Sequence, residues 1–201
     1  PITIAAIRAL EINKNTNLLV LSSDHQIENE DKFIDSIKKG LEYSRKGSLV
    51  TFGVVPSSPE IGYGYIKSDE PLKNTTLDGS RINSFIEKPN LIKANEFIKD
   101  DRFTWNSGIF LFKASSILNE VEKFYPNIVK YCREALSKKK LDLDFIRLDK
   151  NAFQNCPNIS IDVAVMEKTN NAIVCPLDAG WSDAGSWDFV WKISKKDKQG
   201  N

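Results

Sequence analysis

The chain has 201 residues, 41 % hydrophobic and 27 % charged, which is the composition of one ordinary globular domain and excludes a disordered segment. Its 28 basic and 27 acidic side chains leave a net charge of +1, arguing against a surface built for nucleic-acid phosphates or anionic lipid. No run approaches the roughly 20 apolar residues of a membrane-spanning helix, and three cysteines without CxxC spacing exclude a disulfide framework or zinc site and point to a reducing, cytoplasmic setting.

The opening residues read as an amphipathic helix with Pro1 in its first turn, not as a signal peptide, because Arg8 and Glu11 interrupt the apolar run. Residues 17–21 (NLLVL) form a short buried strand that ends in polar Ser22, Ser23 and Asp24. A helix follows over 31–46, with Phe33, Ile34, Ile37 and Leu41 on one face, basic residues in its last turn and Gly47 as its stop. Residues 49–55 (LVTFGVV) are nearly continuous in apolar character. This strand–helix–strand pattern predicts a buried parallel sheet.

The middle of the chain is richer in strands, expected at 63–67, 81–87 and 108–112, with a turn at 77–80 and a short helix over 90–99. Helices are expected at 114–124, 126–138 and 160–168, a strand at 172–177, and a final helix at 185–194 before a solvated tail. The pattern is that of one mixed α/β domain over residues 1–201, mainly parallel with antiparallel additions.

Several polar residues sit where such a sheet gathers ligands. Asp24 lies just past the end of an apolar strand, where a crevice opens; its alternative role is to cap the following turn. Asp183 lies in a second such loop, and two carboxylates converging from separate strands suit a hard cation such as Mg²⁺. Gly62 and Gly64 flank Tyr63, allowing backbone N–H groups to approach a ligand or simply forming a turn. Glu87 and Lys88 end a strand; Pro89 should keep Lys88 extended, so that the two side chains point to opposite sides. Asn106, between Trp105 and Ser107-Gly108, offers an amide suited to a hydroxyl-rich ligand. The lone His25 has no triad partner, and Cys156 and Cys175, each before a proline, read as structural thiols. Neither GxGxxG nor GxxxxGK[ST] occurs.

Taken in order, these segments carry a resemblance: VLSSDH at 20–25, FGVVP at 52–56, GYGYI at 62–66, FIEKP at 85–89, WNSG at 105–108, SIDVAVMEK at 160–168 and GWSDAGSW at 180–187. The series resembles the mannose-1-phosphate guanylyltransferases of the sugar-nucleotide pyrophosphorylase superfamily over nearly the whole chain. The resemblance implies an α/β/α nucleotidyltransferase sandwich that makes GDP-mannose and pyrophosphate from GTP and mannose 1-phosphate. It implies Mg²⁺ held by Asp24 and Asp183, mannose hydroxyls bonded by Glu87 and Asn106, and backbone contact to sugar at Gly64. Lys88 would face the sugar phosphate, and Asp162 belongs to a matching motif on the sugar side. Ser22, Val163 and Ala184 depart from the usual Pro, Tyr and Val, and none removes a proposed ligand.

The resemblance also implies a glycine-rich phosphate loop that none of these residues supplies. The expectation is therefore a sandwich incomplete at its N-terminus, inactive alone, with an apolar sheet edge that favours a homodimer. Two other readings stay open: a non-catalytic sugar-phosphate-binding module, and a pyrophosphorylase for another nucleotide or hexose 1-phosphate.

Overall fold

The computed structural model describes residues 1–183, 191 and 196; apart from residue 191, the helix expected at 185–194 therefore lies outside the described residues. In chain order the strands are β1 (Asn17–Val20), β2 (His25–Gln26), β3 (Leu49–Val54), β4 (Tyr65–Ser68), β5 (Ser80–Ile86), β6 (Phe103–Lys113), β7 (Lys140–Asp142), β8 (Phe145–Arg147), β9 (Ala172–Pro176) and β10 (Ser182–Asp183). The helices are α1 (Ile2–Ile12), α2 (Glu30–Arg45), α3 (Leu91–Phe97), α4 (Ala114–Phe124), α5 (Pro126–Ser137) and α6 (Lys150–Gln154), with a π-helical turn at Asp162–Met166.

Local chemistry explains where the helices begin and end. Asn29, Asn90 and Asp149 each accept a hydrogen bond from the backbone N–H three residues on, satisfying a first-turn donor of α2, α3 and α6. Glu30 and Asp31 complement the positive end of α2, and Gly47, at φ 101°, takes the left-handed turn that releases the chain into β3.

The main sheet has the order β1-β6-β3-β9-β5-β4. Strands β1, β3, β4 and β9 share one direction, as a mainly parallel sheet requires, yet β3–β9 is the one parallel pairing among these six strands. The reason is β6, which runs antiparallel between β1 and β3 and separates the two strands that sequence pattern alone made neighbours. β4 also pairs with β6, so five strands close into a ring, β3-β9-β5-β4-β6. β1, expected to be buried, is instead an edge strand, and Leu19 is exposed.

Side-chain alternation builds the three layers. Leu49, Phe110 and Phe112 pack with Ala6, Ile117 and Val129 of α1, α4 and α5 on one face. Val50, Phe52, Ile109 and Leu111 face the other way, against Phe33, Ile37 and Leu41 of α2. A third cluster joins Tyr65, Phe103 and Trp105 to Ala94 and Phe97 of α3. The β7–β8 hairpin, unforeseen in the sequence, stands apart with Leu141 and Phe145 exposed. The turn expected at 77–80 falls slightly earlier, with Leu77 N–H donating to Lys73 O and Ser80 already in β5.

Gly53 is a tight point within the main sheet. A Cβ there would collide with Thr104 Oγ1 and lie 2.8 Å from Val174 Cγ2, both on strands that the sheet holds in place. Gly53→Ala should therefore lower the unfolding free energy by about 1–3 kcal/mol, the usual cost of overpacking. A urea titration followed by circular dichroism measures it, and a midpoint unchanged from the parent chain would contradict this packing.

Candidate active site

The centre of the site is a bulge in β6. Thr51 pairs with Phe110 and Gly53 with Asn106, so the register against β3 slips across Ser107, Gly108 and Ile109. Gly108 takes φ 68°, a conformation costly for other residues, and this lets the strand step outward. The bulge re-aims Asn106 and then fixes it. Asn106 N–H donates to Gly64 O at 2.8 Å. Its Oδ1 accepts from Gly108 N–H at 3.3 Å and lies 3.0 Å from the Thr51 hydroxyl, and its Nδ2 donates to Asp162 Oδ1 at 3.0 Å. The amide orientation follows from this network, and a second Nδ2 hydrogen can serve a ligand.

Gly64 and Glu87 complete this half of the site. A Cβ on Gly64 would lie 2.7 Å from Glu87 Oε2 and 3.5 Å from Asn106 Cβ, so the carboxylate occupies the space that glycine leaves. Asp162 opens the π-helical turn, a helix irregularity common at functional sites. Burial raises its pKa from the ordinary aspartate value and the nearby charge of Glu87 raises it further, while its own backbone N–H and Asn106 partly oppose the shift. Gly64, Glu87, Asn106 and Asp162, four residues from four separate motifs, thus meet at one place.

Lys88 requires a correction. It is not extended: φ is 47°, in the left-handed region, and Nζ lies 3.5 Å from Glu87 Oε1, so the two side chains associate instead of diverging. Pro89 disfavours the right-handed helical well at Lys88. The chain must still turn from β5 into α3, which Asn90 caps, and the left-handed well provides that turn.

Asp24 and Asp183 come together through the two-stranded sheet of β2 and β10. Asp183 pairs with His25, and antiparallel partners have Cα atoms about 4.5–5.5 Å apart, so Asp24, the residue before His25, is a close neighbour. Asp24 is exposed and Asp183 half-buried. The ribbon is anchored by Glu28 and Asn29, whose N–H groups both donate to Ala179 O at 3.0 Å. Among the described residues no group of three or more His, Cys, Asp or Glu is placed to hold a metal ion, which leaves these two carboxylates as a pair.

The two halves are joined by rings that the sequence did not single out. Tyr63 stands edge-on to Trp105 at 5.2 Å and to Trp181 at 5.5 Å, and Trp181 to His25 at 5.3 Å. Trp181 Nε1 donates to His25 Nδ1 at 3.2 Å, which gives the histidine a positioning contact. Burial raises the Tyr63 phenol pKa, helped by the charge of Asp183. A cavity of about 270 Å³ lies against Tyr63, Trp105 and Trp181, with Glu28 and Glu60 on its wall. The legible signal missed in the sequence was Thr51, the one hydroxyl inside an apolar strand: it is fully buried and holds Asn106.

A family pattern described as nucleotidyl transferase matches residues 3–200. The chain is 47 % identical over 203 residues to a mannose-1-phosphate guanylyltransferase of Salmonella montevideo, covering all of this chain and 42 % of that protein. The chain thus spans about two-fifths of the length of the curated relatives it matches. A structure titled mannose-6-phosphate isomerase from Helicobacter pylori superposes with a TM-score of 0.80 at 35 % identity, over 90 % of this chain and 69 % of that one. Another, titled mannose-1-phosphate geranyltransferase, from Thermus thermophilus, gives 0.82 at 26 % identity, over 98 % and 54 %.

The Asp162 environment has a measurable consequence. A carboxyl whose pKa is raised by folding stays protonated in the native state where the unfolded chain has already ionised, from about pH 3.9 upward. Native stability is therefore lost as pH rises through that window. Asp162→Asn keeps an acceptor for Asn106 without the charge, so its stability relative to the parent chain should improve as pH rises from 3.5 to 7. Denaturant titrations at several pH values test the sign, and a gap constant with pH would remove the proposed charge penalty.

Proposed function

The chain belongs to the nucleotidyl transferase family, and we propose that it acts in forming GDP-mannose and pyrophosphate from GTP and mannose 1-phosphate. The observation that carries this reading is the convergence of Gly64, Glu87, Asn106 and Asp162 around the β6 bulge, beside the Asp24–Asp183 pair. Glu87 and Asp162 accept from sugar hydroxyls, the Asn106 amide donates, and Gly64 lets backbone approach the ring. Lys88, largely exposed beside Glu87, meets the sugar phosphate. The names of the relatives support the ligand: the guanylyltransferase and the two solved neighbours all have a mannose phosphate in their names.

Asp24 and Asp183 fit Mg²⁺, which is bound through one or two hard carboxylates together with substrate phosphates. When bound there it would neutralise phosphate charge. The chain's own residues hold the sugar phosphate in line for attack on the α-phosphorus of GTP, so positioning supplies much of the rate. The glycine-rich loop that such folds use to hold a triphosphate is not among these 201 residues, and each missing donor costs roughly 10²–10³ in rate. The setting is cytoplasmic, and the exposed Leu19 and Leu21 at the β1 edge favour a homodimer. Among the described residues no helix is long and apolar enough to cross a membrane.

Calorimetry tests the sugar half directly. Mannose 1-phosphate should bind this chain in the millimolar range or tighter, and Asn106→Ala should weaken binding about 2–10-fold, the value of one lost hydrogen bond. Absence of binding at millimolar ligand would overturn the reading. In the full-length enzyme, Asp24→Asn should reduce GDP-mannose formation about 100-fold or more while leaving the melting temperature near that of the parent. The chain alone should give no turnover with GTP, mannose 1-phosphate and Mg²⁺; robust pyrophosphate release would contradict the need for a phosphate loop.

A further inference from the structure

A second cavity, about 640 Å³ and mostly apolar, lies on the opposite side of the sheet from α2, among α1, α5, α6 and the segment 156–161. Two of its wall residues are Cys132, buried on α5, and the partly exposed Cys156, just past α6. They lie close together: Cys156 packs against the apolar cluster that contains Cys132, and α6 is docked on α5 through Asp149 N–H donating to Ala135 O at 3.1 Å. Cys175, the third thiol, is fully buried in the core on the α2 face.

We propose that Cys132 and Cys156 are a reversible dithiol–disulfide pair that locks the segment leading to Asp162. Asp162 follows shortly after Cys156 in the chain, and the intervening Pro157, Ile159, Ser160 and Ile161 line the same cavity. Ile159 and Ile161 pack into the apolar cluster that contains Ile128 and Cys132 of α5. A covalent bond would fix the start of this stretch to the core and limit how far the π-helical turn, and with it the Asp162 carboxylate, can move away from Asn106.

The order of events follows from exposure. Cys156 is the accessible thiol, and its thiolate attacks one sulfur of a small-molecule disulfide such as oxidised glutathione, releasing one glutathione. Cys132 then loses its proton to solvent, attacks Cys156 Sγ and expels the second glutathione. Two protein thiols are oxidised by two electrons and one external disulfide is reduced to two thiols. Burial and the neighbouring Cys156 push the Cys132 thiol up to about 12, so the second step is the slow one and accelerates with pH.

The test incubates the intact chain with oxidised glutathione, stops the reaction by alkylation and maps the thiols by mass spectrometry. The expected product links Cys132 to Cys156, leaves Cys175 reduced, and is reversed by dithiothreitol. In Cys132→Ser the reaction should stop at a Cys156–glutathione adduct. Hydrogen exchange of the amides at 158–162 should slow several-fold on oxidation. A lasting Cys156 adduct in the parent chain, equal reaction of all three thiols, or exchange unchanged on oxidation would each overturn the proposal. None of these readouts depends on the activity proposed above.

Discussion

The slip of β6 against β3 is the constraint on which the site depends. One strand of eleven residues has to serve β4 with its first part and β1 with its last, while β3 lies beside both. A regular strand could not change neighbours in this way without breaking its ladder. The left-handed Gly108 absorbs the mismatch, and the polar groups released by the break are taken up locally: Asn106 Oδ1 accepts the Gly108 N–H and the Thr51 hydroxyl lies beside it. Buried polar groups are costly unless paired. The same hydrogen bonds that repair the bulge therefore also freeze the Asn106 amide in the direction of Asp162.

A rigid arrangement around Asn106 would be of little use if the aspartate ribbon could drift relative to it. The two-stranded sheet of β2 and β10 has two residues on each side and cannot hold its place unaided. The Lys32–Asp178 ion pair beside it is exposed at both ends and adds little. The ring sequence Trp105, Tyr63, Trp181, His25 does more, because each ring adjoins a residue of the site: Asn106, Gly64, the Asp183 loop and Asp24. Edge-to-face contacts contribute about 0.5–1.5 kcal/mol each beyond burial. Their larger effect is geometric, fixing the spacing between parts of the site that lie far apart in the chain.

Most elements could be read from apolar period and caps, as with α2, β3, α4 and β9, because there local preference and burial agree. Pairing could not: nothing within 17–21 or 49–55 reveals that β6 will insert between them. The β7–β8 hairpin escaped because its Leu141, Leu143 and Phe145 are exposed, so burial leaves no pattern to detect. Lys88 was misread because the rule for residues before proline describes an average, and a turn between two fixed elements overrides it. The expectation of two structural thiols held for Cys175, which is fully buried, whereas Cys156 is only partly covered and its closeness to Cys132 is a tertiary fact. The candidate site residues were legible as motifs, yet their convergence needed the bulge.

Two carboxylates, Glu87 and Asp162, raise an electrostatic difficulty for the proposed sugar phosphate, since that ligand is itself an anion. The arrangement resolves it by separating the charges. Burial and the charge of Glu87 work against ionisation of Asp162, which reduces the negative field around Asn106. The one cation contributed by this motif is held outward: Lys88 pairs loosely with Glu87, and its side chain is 65 % exposed. The left-handed backbone there costs about 1–2 kcal/mol for a side chain with a Cβ. An extended Lys88 would avoid that cost but, as alternation along a strand dictates, would turn its ammonium away from Glu87. Strain at Lys88 thus keeps a positive charge exposed beside the carboxylate of Glu87, where an anionic ligand could replace that carboxylate as its partner without either charge being buried.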